Sequence, residues 1–112
     1  EIKSIGDIKF IGKILNGFPP KDLKPMADDL KMQIGSGVVV LVAANDGKAS
    51  IVVGVTAELS SDISAVDLVR AGSEALGGKG GGGRPDMAQA GGPNADAAQN
   101  AIEAIEASLS SR

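Results

Sequence analysis

Residues 38–57 read VVVLVAANDGKASIVVGVTA, and their reading decides the fold. Val38 to Ala44 is an unbroken apolar run rich in β-branched side chains, the pattern of a strand covered on both faces. Asn45-Asp46-Gly47-Lys48 follows, a strong turn signal, because Asp and Gly tolerate the positive φ of a tight hairpin. Ser50 to Ala57 returns as the second arm, and Gly54 in its middle marks a bulge or a close approach of backbone. Upstream, Lys9 to Leu15 (KFIGKIL) reads as another strand, ended by Asn16, Gly17 and Pro19-Pro20. Between these strands Leu23, Met26, Ala27, Leu30 and Ile34 fall at helical spacing on one face. Asp22 is the expected N-cap, Pro25 fits the first turn and Gly35 is the expected stop. Downstream, Ser64-Ala65-Val66-Asp67 reads as a capping box opening a helix that buries Val66, Val69, Gly72 and Leu76. Asp86 to Ala90 reads as extended, and Asn94 or Asp96 as the cap of a last helix with Ala98, Ile102, Ile105 and Leu109 as its apolar stripe. The order β-α-β-β-α-(glycine-rich)-β-α predicts an α/β (α+β) fold, a single domain over residues 1–112. Its sheet should be mixed, partly antiparallel and of about four to five strands, with helices packed on it.

Composition narrows the function. The 112 residues are 43% hydrophobic and 22% charged, as in one globular domain with a small core. There is no Cys and no His, which removes thiolate nucleophiles, imidazole bases and nearly all zinc sites. No carboxylates stand at calcium-loop or catalytic-pair spacing, so neither a metal nor a catalytic residue is expected. The net charge of −3 argues against a broad, non-specific grip on nucleic acid. A focused contact stays open where positive charge is concentrated. Phe10 and Phe18 are the only aromatics, a poor basis for stacking single-stranded bases. The longest apolar run, Val38 to Ala44, is strand-sized and far short of the roughly 18 residues of a membrane span. The chain opens on Glu1, without an initiator Met or a targeting sequence, as expected of a piece of a longer protein.

The segment from Gly77 to Gly92, GGKGGGGRPDMAQAGG, holds half of the chain's 16 glycines. Glycine permits positive φ and close approach of backbone to a ligand, and successive N–H groups in such a loop form a concave anion site. Gly78, Gly80, Gly81 and Gly82, with Lys79 and Arg84 beside them, suit a phosphate or a flat polar surface. A flexible linker is the bland alternative, but the run lies inside one domain and continues into the non-repetitive RPDMAQAGG. A P-loop would need a preceding strand and Gly-Lys-Ser/Thr at its end, and a dinucleotide fingerprint needs a strand before and a helix after. Neither context is present.

The stretch GGKGGGGRPDMAQAGG resembles the signature near the C-terminus of alanyl-tRNA synthetases, with one more Gly between Lys79 and Arg84 than that signature usually has. Met26 to Lys31 (MADDLK), Ile34-Gly35-Ser36, the Val38 strand and Gly47-Lys48 agree, so the resemblance covers nearly all of residues 8 to 92. It implies a domain shared with the DHH phosphoesterases, where it helps to hold a nucleotide. There the glycine run is typically followed by His; here Arg84 holds that place, which favours the synthetase branch. The resemblance further implies a cytoplasmic tRNA-binding domain that meets the outer corner of alanine-specific tRNA, where the D and T loops meet. It would thereby help one tRNA serve the aminoacylation and editing domains of the same chain. Catalysis, ATP binding and any homo-oligomer would belong to the parent, and no cofactor to this segment. The alternatives are a substrate clamp of a phosphoesterase and a subunit-association module.

Lys9 and Lys13 share one side of the first strand and are candidates for a phosphate, or simply exposed lysines near a sheet edge. Gln89 can read a base edge or a ribose hydroxyl, or be an exposed strand residue. Lys21, Lys24 and Lys31 interleave with Asp22, Asp28 and Asp29 as a solvated helix face. Met26, Met32 and Met87 read as core or gap-filling residues.

Overall fold

A computed structural model describes residues 2–111. Along the chain run β1 (Lys3–Ile5), β2 (Ile8–Asn16), α1 (Leu23–Ile34), β3 (Gly37–Asn45), β4 (Lys48–Val55), α2 (Ala65–Ala75), β5 (Gly82–Arg84), β6 (Met87–Gly92) and α3 (Ala98–Ser110). Short 3-10 turns at Pro20–Asp22 and Ala95–Ala97 lead into α1 and α3. The sheet is six-stranded in the order β1-β2-β3-β4-β6-β5. Only β2 and β3 are parallel, joined by α1 as a crossover; every other pair is antiparallel. The mixed sheet agrees with the sequence, and the strand count is one above the expected range.

The hairpin at residues 38–57 forms the middle of the sheet. Its turn has positive φ at both central residues, 51° at Asp46 and 81° at Gly47, which matches the right-handed twist of the flanking strands. Val38 to Ala43 are all at most 1% exposed, because helices lie on both faces. Alternation sorts the side chains. Phe10, Val38, Val40, Val42, Ile51 and Val53 meet α2 and α3, while Ile11, Val39, Leu41, Val52 and Met87 meet α1. Pairing of β3 with β4 runs without interruption from Val38↔Val55 to Asn45↔Lys48, so Gly54 marks a close approach and not a bulge.

β1 and β5 were not expected. Gly6, at φ 61°, and Asp7 form a two-residue connection from β1 to β2, and β5 is hidden by its glycines. Three caps differ from expectation. Asp22 holds the N-cap position of α1 but, as the last residue of a 3-10 turn with helical φ and ψ, makes no side-chain cap bond; Asn94 precedes the other 3-10 turn and makes none either, and the residue before α3 is Ala97. Ser64 caps α2 by accepting from the Val66 amide at 3.2 Å. No reciprocal bond from Asp67 appears among the described residues, as its carboxylate is one methylene shorter than the Glu of a capping box. Ser64→Ala should therefore cost about 0.5–2 kcal/mol, read as a lower urea midpoint; an unchanged midpoint would assign the cap no energetic role. Of the methionines, Met87 is buried but Met32 is 77% exposed, on the outer side of α1. Among the described residues, no helix is long and apolar enough to cross a membrane.

Candidate functional site

The glycine-rich loop leaves the end of α2 and turns back along β6. Its start is tied down: the Gly78 amide donates to Ser73 O at 2.8 Å, and the Asn94 amide to Leu76 O at 3.0 Å. The fully buried Ser73 hydroxyl donates to Gly91 O at 3.1 Å, which joins α2 to the end of β6. A side chain on Gly78 would collide with Gly91 O and come within 2.5 Å of Ser73 Oγ. One on Gly81 would lie 2.6 Å from Ala90 Cβ. Gly77, Gly80 and Gly83 have φ of 80°, 80° and 146°, which L side chains rarely adopt. Gly82 is different. Its φ is not positive, and nothing lies within 4 Å of the place its Cβ would take. The fold gives no reason for glycine there.

Two glycines of the Gly80–Gly83 run stay in the loop and two enter β5, where the register is Gly82↔Gln89, Gly83↔Ala88 and Arg84↔Met87. Gly82, Arg84 and Gln89 thus face the same side of the sheet, the side of α1. Lys79 is exposed and the Arg84 side chain is 77% exposed. Gln89 is exposed and borders a groove of about 360 Å³ with Pro20, Leu23 and Val52 beside the start of α1. The glycines stand next to this groove and do not line it.

Lys9 and Lys13 also face the α1 side, but farther off. A cross-sheet row runs Gly82↔Gln89↔Val52↔Leu41↔Lys13, which puts Lys13 three strand spacings from Gln89, roughly 14 Å. α1 stands between them over Val52 and Leu41. Lys9 is exposed and Lys13 half-buried. The structure therefore gathers Gly82, Arg84 and Gln89 on the α1 side of the sheet, leaves Gly78 and Gly81 packed against α2 and β6 with Lys79 and Gly80 on the connection between them, and sets Lys9 and Lys13 apart as a second surface.

Lys31 overturns the reading of a solvated lysine. Its side chain is only 14% exposed and lies 3.9 Å from Asp86 Oδ2, and its ammonium donates to Asp86 O at 3.0 Å. The signal that could have found it is Gly54, whose missing side chain leaves room for the Lys31 stem. Among the described residues, no group of three His, Cys, Asp or Glu side chains is arranged to hold a metal ion.

The model of the DHHA1 domain family matches residues 7–111. The chain is 66% identical over 107 residues, 96% of its length, to an alanine–tRNA ligase of Paramagnetospirillum magneticum. It is 59% identical over 108 residues to the ligase of Rhizobium meliloti. It spans 12% of the length of each of these relatives. Among solved structures, the C-Ala domain from Aquifex aeolicus alanyl-tRNA synthetase superposes with a TM-score of 0.92 at 30% identity, covering 98% of both chains.

Proposed function

The chain belongs to the DHHA1 domain family, in the form of the C-Ala domain of alanyl-tRNA synthetase, and from that premise we propose that it is the tRNA-holding domain of an alanine–tRNA ligase. It meets the corner where the D and T loops join, and so keeps one tRNA within reach of the aminoacylation and editing domains of its parent. ATP use and ligation belong to that parent, which works in the cytoplasm. The supporting observation is Gly82: a glycine that folding does not require, on the edge strand β5, between exposed Lys79 and Arg84 in the sequence and opposite Gln89. Bare peptide planes flanked by cations suit a stacked, folded RNA surface met by shape, through phosphate, 2′-hydroxyl and exposed-base contacts.

The test is a titration of the chain with intact tRNA and with tRNA lacking the D and T loop corner. Binding should depend on the corner. Lys79→Ala should weaken it about equally for different tRNAs and lower the salt slope by roughly one. Equal binding of both RNAs would remove the corner from the reading. A wild-type slope in Lys79→Ala would remove Lys79.

A second reading has one observation in its favour. β1 pairs only with Ile8 to Phe10, so Ile11 to Asn16 of β2 have no outer neighbour among the described residues, and Ile14 is 36% exposed. An open edge of this kind can pair with another copy, and sedimentation of the chain alone decides whether it does.

A further inference from the structure

We propose that Lys31 is a positioning residue for the RNA contact: it fixes the β5–β6 turn and offsets Asp86, so that Arg84 presents unneutralised charge. This rests on the reading of the glycine-rich loop as the RNA surface. Lys31 sits in the last turn of α1, and its stem crosses β4 at Gly54. A Cβ on residue 54 would stand 2.7 Å from Lys31 Cδ and 3.4 Å from Met87 Cε. Beyond that crossing the ammonium reaches the turn that carries Arg84. Asp86 O accepts from Lys31 Nζ at 3.0 Å and from the Val55 amide at 2.9 Å, and Pro85 O accepts from the Ala65 amide at 2.8 Å. The turn is thus held from α1, β4 and α2 together.

The charges follow the same geometry. Asp86 Oδ1 lies 3.5 Å from Arg84 Nε, and Asp86 Oδ2 lies 3.9 Å from Lys31 Nζ. One carboxylate is shared between two cations, which leaves the cluster a net charge of one. Without Lys31, Arg84 and Asp86 would cancel beside the RNA. An exposed pair such as Arg84–Asp86 is too weak to hold its own geometry. The half-buried ammonium and the backbone bonds hold it instead. Lys31 touches no RNA in this arrangement; it acts through Asp86 on Arg84.

The experiment titrates intact tRNA across a salt series against the full 112-residue chain, wild type and variants, with thermal unfolding recorded for each. Arg84→Ala should lower the salt slope by roughly one. Lys31→Met, which keeps the stem and removes the charge, should lower it by about the same amount, and Lys31→Met with Arg84→Ala should bind more weakly than Arg84→Ala alone, because Asp86 is then left without a cation beside the RNA. Adding Asp86→Asn to Lys31→Met should restore the slope, a rescue that a purely structural lysine does not predict. Asp86→Asn alone should steepen the slope, and it keeps the test open if Lys31→Met does not fold. A wild-type slope in Lys31→Met, or no steepening in Asp86→Asn while Arg84→Ala weakens binding, overturns the role of Lys31 alone. Arg84→Ala binding like wild type overturns the RNA reading of the loop, and this inference with it.

Discussion

Gly78→Ala is expected to destabilise the domain by about 2–5 kcal/mol, by overpacking against backbone and by loss of a buried hydrogen bond. The added methyl would meet Gly91 O and Ser73 Oγ. Neither has room to retreat. Gly91 is held in register opposite Ser50 of β4, and Ser73 is fully buried at the end of α2. Moving the serine breaks its bond to Gly91 O and leaves a buried hydroxyl unpaired. A domain of this size has roughly 5–15 kcal/mol in total, so the loss is large, and RNA binding should fall with it. Urea unfolding measures it. A flexible linker makes the opposite prediction, since Gly→Ala where the backbone is free is neutral or gains about 0.4–1 kcal/mol. An unchanged or higher midpoint would mean that the loop is not specified by the fold.

Much of this fold is legible in the sequence because its signals are local. The β-branched run from Val38 carries its own two-sided burial, and Asn45-Asp46-Gly47-Lys48 carries its own turn. Ile102, Ile105 and Leu109 on α3 are buried at the spacing that places them. What escaped depends on partners distant in sequence. β5 has almost no side chains to form a pattern, and it is a strand only because β6 pairs with it. β1 has three residues and owes its form to β2. Asp22 and Asn94 have capping chemistry, but the 3-10 turn that Asp22 ends gives it a helical backbone, and the one that follows Asn94 puts Ala97 before α3. For the site, the cations and glycines of residues 77–84 were readable as types. The internal tasks of Gly78 and Gly81 were not, because each depends on β6. Lys31 looked like its neighbours Lys21 and Lys24. What sets it apart is a glycine on another element and an aspartate 55 positions along the chain.

Gly82→Leu is expected to leave stability nearly unchanged and to weaken tRNA binding by roughly thirtyfold or more, the size of an interface hot spot at about 2 kcal/mol. The two halves of this expectation have separate causes. For folding, residue 82 sits on an edge strand with open space where its side chain would go and without a positive φ. A larger residue there loses less backbone entropy on folding than glycine and strains nothing. For binding, the leucine would stand on the α1 side of the sheet opposite Gln89, on the same side as Arg84, where bare backbone would otherwise meet a flat stacked base pair. A branched side chain holds the two surfaces apart and breaks every short contact around it at once. Unfolding curves and tRNA titrations on the same preparation separate the outcomes. Weakened binding with an intact fold assigns Gly82 to the ligand. Unimpaired binding in a well-folded Gly82→Leu would move the RNA contact off β5, and the separate Lys9 and Lys13 surface on β2 would become the place to look for it.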